Sequence, residues 1–200
     1  MPTGCLDRCD GYLWSAAVIA GRAGAGTTIG MSAIKARRLT LPVSCHPGTF
    51  VGEYVPFYFC PRSIKLYVIH CANHVELTYR DGQEPIVPLE ASLNQAIGWA
   101  DGDGRSWAFS LSNAGAFYAQ FRSQVGQLNE VNWPAVAASD FRLADVKEGK
   151  QAEFLMHERF LWQLVDRIGV ISRGMAQQVT SAVRGAAHRP RVEIRRDWYF

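Results

Sequence analysis

Apolar positions along this chain change period every ten to twenty residues, and each change predicts a new element. Val51, Glu53, Val55, Phe57 and Phe59 alternate with Tyr54, Tyr58 and Cys60, which predicts a strand with an aromatic face. Pro56 within it predicts an edge or a bulge, because proline cannot donate to a ladder. Ser63 can cap a short helix through Ile64, Tyr67, Val68 and Cys71, although the same letters also suit a strand. Residues 75–80, a turn at Asp81 and Gly82, and residues 84–90 read as a hairpin. Leu93, Ala96, Ile97 and Ala100 recur at helical spacing until the Asp-Gly-Asp-Gly run at 101–104 stops them.

Residues 105–111 read as a strand, after which Ser112 or Asn113 can cap a helix carrying Phe117, Phe121 and Leu128 on one face. From Asn129 to Gly149 periodicity is weak, which predicts a long irregular segment of the kind that often carries function. A strand over 151–156, a partly extended stretch over 162–172, a helix carrying Met175, Val179 and Val183, and a final alternation of Val192, Ile194, Arg196 and Trp198 follow. Strands and helices mix without regular βαβ units, so the expected class is α+β.

The chain has 200 residues, 48% of them hydrophobic and 20% charged, which suits one domain with a substantial core. A net charge of +3 is too small to indicate nucleic acid by itself. Position is more telling: Lys35, Arg37 and Arg38 cluster, and Arg184, Arg189, Arg191, Arg195 and Arg196 crowd the C-terminal end. Five irregularly spaced cysteines suit reduced thiols in a cytoplasmic protein, and no run is long enough to span a bilayer.

Several familiar chemistries lack their signatures. Gly21–Thr28 invites a phosphate-loop reading, but Thr27 follows Gly26 where that motif requires lysine. His70 and His74 stand four apart without the glutamate of a zinc helix, so no metal is expected. No GxSxG string is present. Glu148 and Glu153 remain candidates for a carboxylate pair. Glu153 stands out because it opens the apolar run Phe154, Leu155 and Met156 directly after Lys147, Glu148, Gly149 and Lys150. A carboxylate on a strand edge beside a mobile basic loop can hold one substrate while the loop holds another, although a solvated charge run ahead of a strand reads the same way.

Five strings recur in order in a known family: residues 55–63, 82–87, 107–121, 147–155 and 185–200. From about Gly11 to Phe200 the chain resembles the DarT family, DNA ADP-ribosyltransferase toxins paired with the macrodomain antitoxin DarG. The resemblance implies an ADP-ribosyltransferase-like fold over residues 1–200, with a central split, mostly antiparallel sheet flanked by helices. It implies NAD as co-substrate, single-stranded DNA as acceptor and a DarG-like partner, with a monomer expected. Residues 16–40 would form the NAD-binding element, and residues 112–153 the turn-turn region that selects the acceptor.

The resemblance also implies site residues. Glu153 aligns with the family's catalytic glutamate. Arg37 and Arg38 match paired arginines, one assisting catalysis and both suited to a diphosphate. Tyr54 and Tyr58 would line the NAD cleft or pack the core. Asn113 falls where a residue contacts the target base, and Arg142, Lys147 and Lys150 lie in the acceptor-selecting segment. Two departures stand out. No histidine precedes His46, so the first NAD-gripping strand is expected to be missing and residues 1–15 to form an atypical start. Residues 62–66 read RSIKL in place of RSPML, which puts Lys65 where an apolar residue meets the substrate. The expected activity is transfer of ADP-ribose from NAD to a base, foremost thymine, in single-stranded DNA. The alternatives are a guanine-modifying relative, an NAD hydrolase, and a silent fragment that only binds single-stranded DNA.

Overall fold

A computed structural model describes residues 11–22, 32–72, 74 and 76–200. The residues 23–28 of the phosphate-loop reading, and Cys5 and Cys9, lie outside that set. Among the described residues no helix is long and apolar enough to cross a membrane.

The first elements are β1 (Tyr12–Trp14), α1 (Ala16–Gly21) and α2 (Ser32–Arg38). Next come β2 (Tyr54–Tyr58), α3 (Ile64–Cys71), β3 (Leu89–Ala91) and α4 (Leu93–Gly102). A hairpin of β4 (Trp107–Asn113) and β5 (Phe121–Arg122) leads to two short helices, α5 (Trp133–Ala137) and α6 (Ala144–Gly149). The chain finishes with β6 (Ala152–His157), β7 (Arg159–Leu161), β8 (Val165–Val170), α7 (Arg173–Ala182) and β9 (Arg191–Ile194).

The strands form a pair β1-β7, a four-stranded sheet in the order β2-β6-β4-β5 and a three-stranded sheet in the order β3-β8-β9. All pairings are antiparallel except β8 with β9, so the expected split, mostly antiparallel sheet is what the chain builds. Its main core lies between the two larger sheets, where Phe109, Phe154 and Met156 meet Val165, Ile168 and Val170 with α4 and α7 closing the sides. The C-terminal segment is pinned by Trp198, whose ring lies so close to Gly169 that a β-carbon there would fall 2.2 Å from it.

Local signals place the helices well. The Ser63 side chain accepts from Leu66 N at 3.2 Å and starts α3, and the Ser92 side chain accepts from Gln95 N to start α4. Pro56 sits on β2, an edge strand, as proline in a sheet must. Three readings need correction. Residues 76–88 form irregular chain and not a hairpin, since β3 pairs with β8 from far along the sequence. No helix starts at Ser112 or Asn113; β4 runs through Asn113 and the chain returns as β5, because burying Ala114 and Phe121 in a second core cluster holds the hairpin down. The segment 129–149 is not one irregular loop, because it contains α5 and α6, packed so closely that a β-carbon on Gly149 would lie 2.9 Å from that of Ala135.

Candidate active site

The site grows from a defect in one ladder. β4 pairs with β6 at Phe109↔Phe154 and again at Asn113↔Ala152, so β4 takes four steps where β6 takes two. Such a bulge frees a backbone N–H and re-aims the neighbouring side chain. Here the Glu153 N–H donates to the Ser110 hydroxyl at 3.0 Å, and that hydroxyl donates to the Ser112 carbonyl at 2.6 Å. On the other side Glu153 pairs in register with Tyr58, the last residue of β2. The carboxylate thus stands at the end of an interior strand, walled by two neighbours, with its residue only 2% exposed. That corrects the expected position on a sheet edge beside a mobile basic loop: β2 covers one flank, β4 the other, and Lys147 and Glu148 belong to α6.

A buried carboxylate requires a partner. Arg38 supplies it across 115 positions of sequence: Nη1 donates to Oε1 at 3.0 Å and Nη2 to Oε2 at 2.9 Å. This is the two-pronged geometry that guanidinium and carboxylate share. Burial disfavours the Arg38 charge, but the Glu153 charge and its hydrogen bonds outweigh that and hold the arginine pKa above its ordinary value. Two close approaches position Arg38. A β-carbon on Gly52 would collide with Leu39 just after α2, and one on Gly115 would lie 3.5 Å from Arg38 Cγ, so the helix end is wedged between two glycines.

Arg37 turns the other way, its guanidinium 5.2 Å from the centre of the Phe117 ring. Its Nε is buried without a hydrogen-bond partner among the described residues. The two arginines therefore divide: Arg38 faces the carboxylate and Arg37 faces outward from it.

Tyr58 shares the pocket of Glu153 and Arg38. Burial first, then the Glu153 charge, push its phenol pKa up, so it stays neutral near pH 7. Lys65, on the first turn of α3, feels the same charges. Desolvation lowers its pKa against the pull of Glu153, while Arg38 and Lys35 lower it further. Lys65 makes no hydrogen bond or ion pair to any described residue. Tyr58 and Lys65 form one lip of a cleft of about 680 Å³ that runs between β2 and β3 and is walled mainly by apolar residues such as Phe57, Leu66, Leu89 and Phe160. Glu153 and Arg38 do not line this cleft but abut its lip.

Other expected site residues fall elsewhere. Tyr54 is core, 1% exposed, its hydroxyl 3.0 Å from that of Thr49, so of its two expected places it takes the interior and not the cleft. Lys150 is 3% exposed and its ammonium donates to the Val136 carbonyl at 2.8 Å; it ties α6 to α5 and is not a surface cation for DNA. Asn113 spends its amide internally, accepting from Gly115 N at 2.8 Å and donating to Gln151 at 3.1 Å. Arg142 is exposed and clasped by Asp140, whose carboxyl is held down at about 2 by hydrogen bonds from the Arg142 side chain and backbone. Lys147 lies exposed on α6, while Glu148 faces the Tyr118 hydroxyl and so does not join Glu153 as a carboxylate pair. Sequence reasoning missed Ser110, whose only signal was a serine inside an apolar strand. Among the described residues no group of three potential ligands could hold a metal ion.

The chain is 37% identical over 176 residues to a DNA ADP-ribosyl transferase of Thermus sp. (strain 2.9), covering 86% of this chain and 81% of that one. Its fold superposes on Thermus sp. 2.9 DarT in complex with ADP-ribosylated ssDNA with a TM-score of 0.86 at 33% identity, over 99% of this chain and 90% of the other. The same protein in complex with NAD+ superposes with a TM-score of 0.79 at 31% identity, over 99% and 91%. Residues 9–200 match the family described as ssDNA thymidine ADP-ribosyltransferase, DarT, and the protein belongs to that family.

Proposed function

We propose that this chain transfers ADP-ribose from NAD to N3 of a thymine in single-stranded DNA, and that it acts as the toxin of a pair restrained by a DarG-like macrodomain protein. The observation that carries the reading is the Arg38–Glu153 pair, a buried carboxylate held in a fixed fork at the lip of a ligand-sized cleft. The residues suit a dinucleotide co-substrate. Lys65 lines the cleft and has no hydrogen-bond or ion-pair partner among the described residues, so it offers a cationic group to a diphosphate.

NAD supplies an ADP-ribosyl group bound to a cationic nicotinamide, which leaves as a neutral molecule and needs no acid. The protein's tasks are to hold the sugar, steady positive charge at its anomeric carbon and take the N3 proton of the incoming base. Glu153 suits the last two, since its position between Tyr58 and Ser110 fixes where the carboxylate points. Arg38 is the clasp that holds it there. To accept a proton, an oxygen of Glu153 must yield one of the two Arg38 bonds, and the 17% exposure of the arginine side chain leaves that side open for the exchange. In the balanced reaction, the bond from N3 to the anomeric carbon forms, the bond to nicotinamide breaks, and the N3 proton passes to Glu153.

The test is mass spectrometry of oligonucleotides incubated with NAD and the protein. An adduct is expected on a strand whose sole reactive base is thymine and is lost with Glu153→Gln. An adduct confined to a thymine-free, guanine-containing strand would overturn the choice of base. Nicotinamide release at the same rate without DNA would replace transfer with hydrolysis. The toxin reading requires that expression arrest growth and that co-expressed macrodomain partner restore it.

A further inference from the structure

The hairpin between β4 and β5 ends in two consecutive exposed aromatics, Phe117 at 79% and Tyr118 at 69%. Their backbone is not loose. Asn113 Oδ1 accepts from Gly115 N at 2.8 Å, Ala116 N donates to the Asn113 carbonyl at 2.9 Å, and Ala119 N donates to the Ala116 carbonyl at 3.1 Å. The last bond makes Phe117 and Tyr118 the two central residues of a closed turn, so both rings are held at the tip. Ala114 and Phe121 anchor the stems in the core, whereas neither tip ring joins any core cluster. Scattered exposed apolar residues are ordinary, but two adjacent rings on a rigid tip do not serve the fold.

Their surroundings suggest an occupant. The Arg37 guanidinium of α2 lies against the Phe117 ring and steadies it, and the Glu148 charge on α6 acts on the Tyr118 hydroxyl. The tip also rises directly from Gly115, where a β-carbon would lie 3.5 Å from Cγ of Arg38, the clasp of Glu153. A base that reacts must reach Glu153, which is buried, so it cannot also rest on rings that stay outside. What meets the rings is its neighbour in the strand.

We propose that Phe117 and Tyr118 form a stacking platform for the bases flanking the target nucleotide, with Arg37 beneath Phe117 contacting the intervening phosphate. This rests on single-stranded DNA being the acceptor. Every base has an apolar face, so a platform of this kind orders the strand without reading its sequence, and loss of one ring weakens binding roughly 5- to 150-fold. It would also let the target base swing inward while its neighbours stay stacked.

The experiment measures affinity for labelled single strands by fluorescence anisotropy. Phe117→Ala and Tyr118→Ala should each weaken binding within that range while the melting temperature stays within about 2 °C, since both rings are exposed. Phe117→Trp should bind like the parent, and Phe117→Leu, which keeps apolar area but no ring, should behave like alanine. Replacing both bases beside the target by abasic sites should bring the parent protein down to the level of the Phe117→Ala, Tyr118→Ala double variant, with no further loss in that double variant. Parental affinity in both alanine variants, leucine matching tryptophan, or an abasic loss that adds to the loss already seen in the double variant would each overturn the platform while leaving DNA as the acceptor. Failure of the parent protein to bind or modify any single strand would remove the acceptor and the platform together.

Discussion

Arg38→Met isolates the energetics of the site. The substitution keeps the aliphatic stem against Gly115 and removes both hydrogen bonds to Glu153, which would strand a carboxylate whose side chain is 3% exposed. Removing one partner of a buried ion pair costs about 3–5 kcal/mol, most of it the penalty of the charge left behind. Because Arg38 itself is 17% exposed, water can enter where the guanidinium was, and the lower end, about 3 kcal/mol, is expected. In a domain of this size each kcal/mol moves the melting temperature by about 2–4 °C, so a fall of about 6–12 °C should follow. Glu153→Leu strands only the more exposed arginine and should cost less, and the Arg38→Met, Glu153→Leu double variant should recover most of the loss. Urea denaturation of the four proteins at pH 7 gives the coupling directly. A loss under about 1 kcal/mol for Arg38→Met, or a double variant no more stable than that single one, would refute the claim that a stranded carboxylate dominates.

Lys150→Ala should cost about 1–3 kcal/mol by leaving the Val136 carbonyl unsatisfied, and should leave the salt dependence of DNA binding unchanged. Lys147→Ala should do the reverse: if Lys147 meets a phosphate, the slope of log affinity against log salt falls by about 0.7 with little change in stability. Gly169→Ala drives a methyl to within 2.2 Å of the Trp198 ring and should destabilise by about 1–3 kcal/mol, seen in denaturation and in a shifted tryptophan emission. His157 has its pKa lowered, first by burial, from 6.5. Below that value the unfolded chain takes a proton that the folded chain resists, so stability should fall as pH drops through about 6.5. In His157→Phe that part of the pH dependence should disappear from the denaturation midpoints.

Much of the local structure could be read from the chain because its causes are local. Ser63 and Ser92 cap helices through bonds three residues away, Leu93 to Ala100 carry a helical stripe, and the alternation through Val55, Phe57 and Phe59 needs only the two-residue period of a strand. Glu153 was also visible, as the acidic letter at the head of an apolar run in a recurring string. Asn113, by contrast, looked like a helix cap and proved to be the start of a tight turn, since either use needs the same short polar side chain.

By itself the sequence determined those helices and strands whose signals are local, the α+β class and the residue types able to do the chemistry. Only the tertiary structure decided which of them meet. Arg38 rather than Arg37 faces Glu153, because α2 is wedged against Gly52 and Gly115 in one rotation. Lys150 and Tyr54 are interior despite their polar ends, because α5 and Thr49 happen to offer partners. The bulge that aims Glu153 is a mismatch of step counts between β4 and β6, strands some forty residues apart. No window of the chain contains such a long-range register, which is set by the packing of both strands at once.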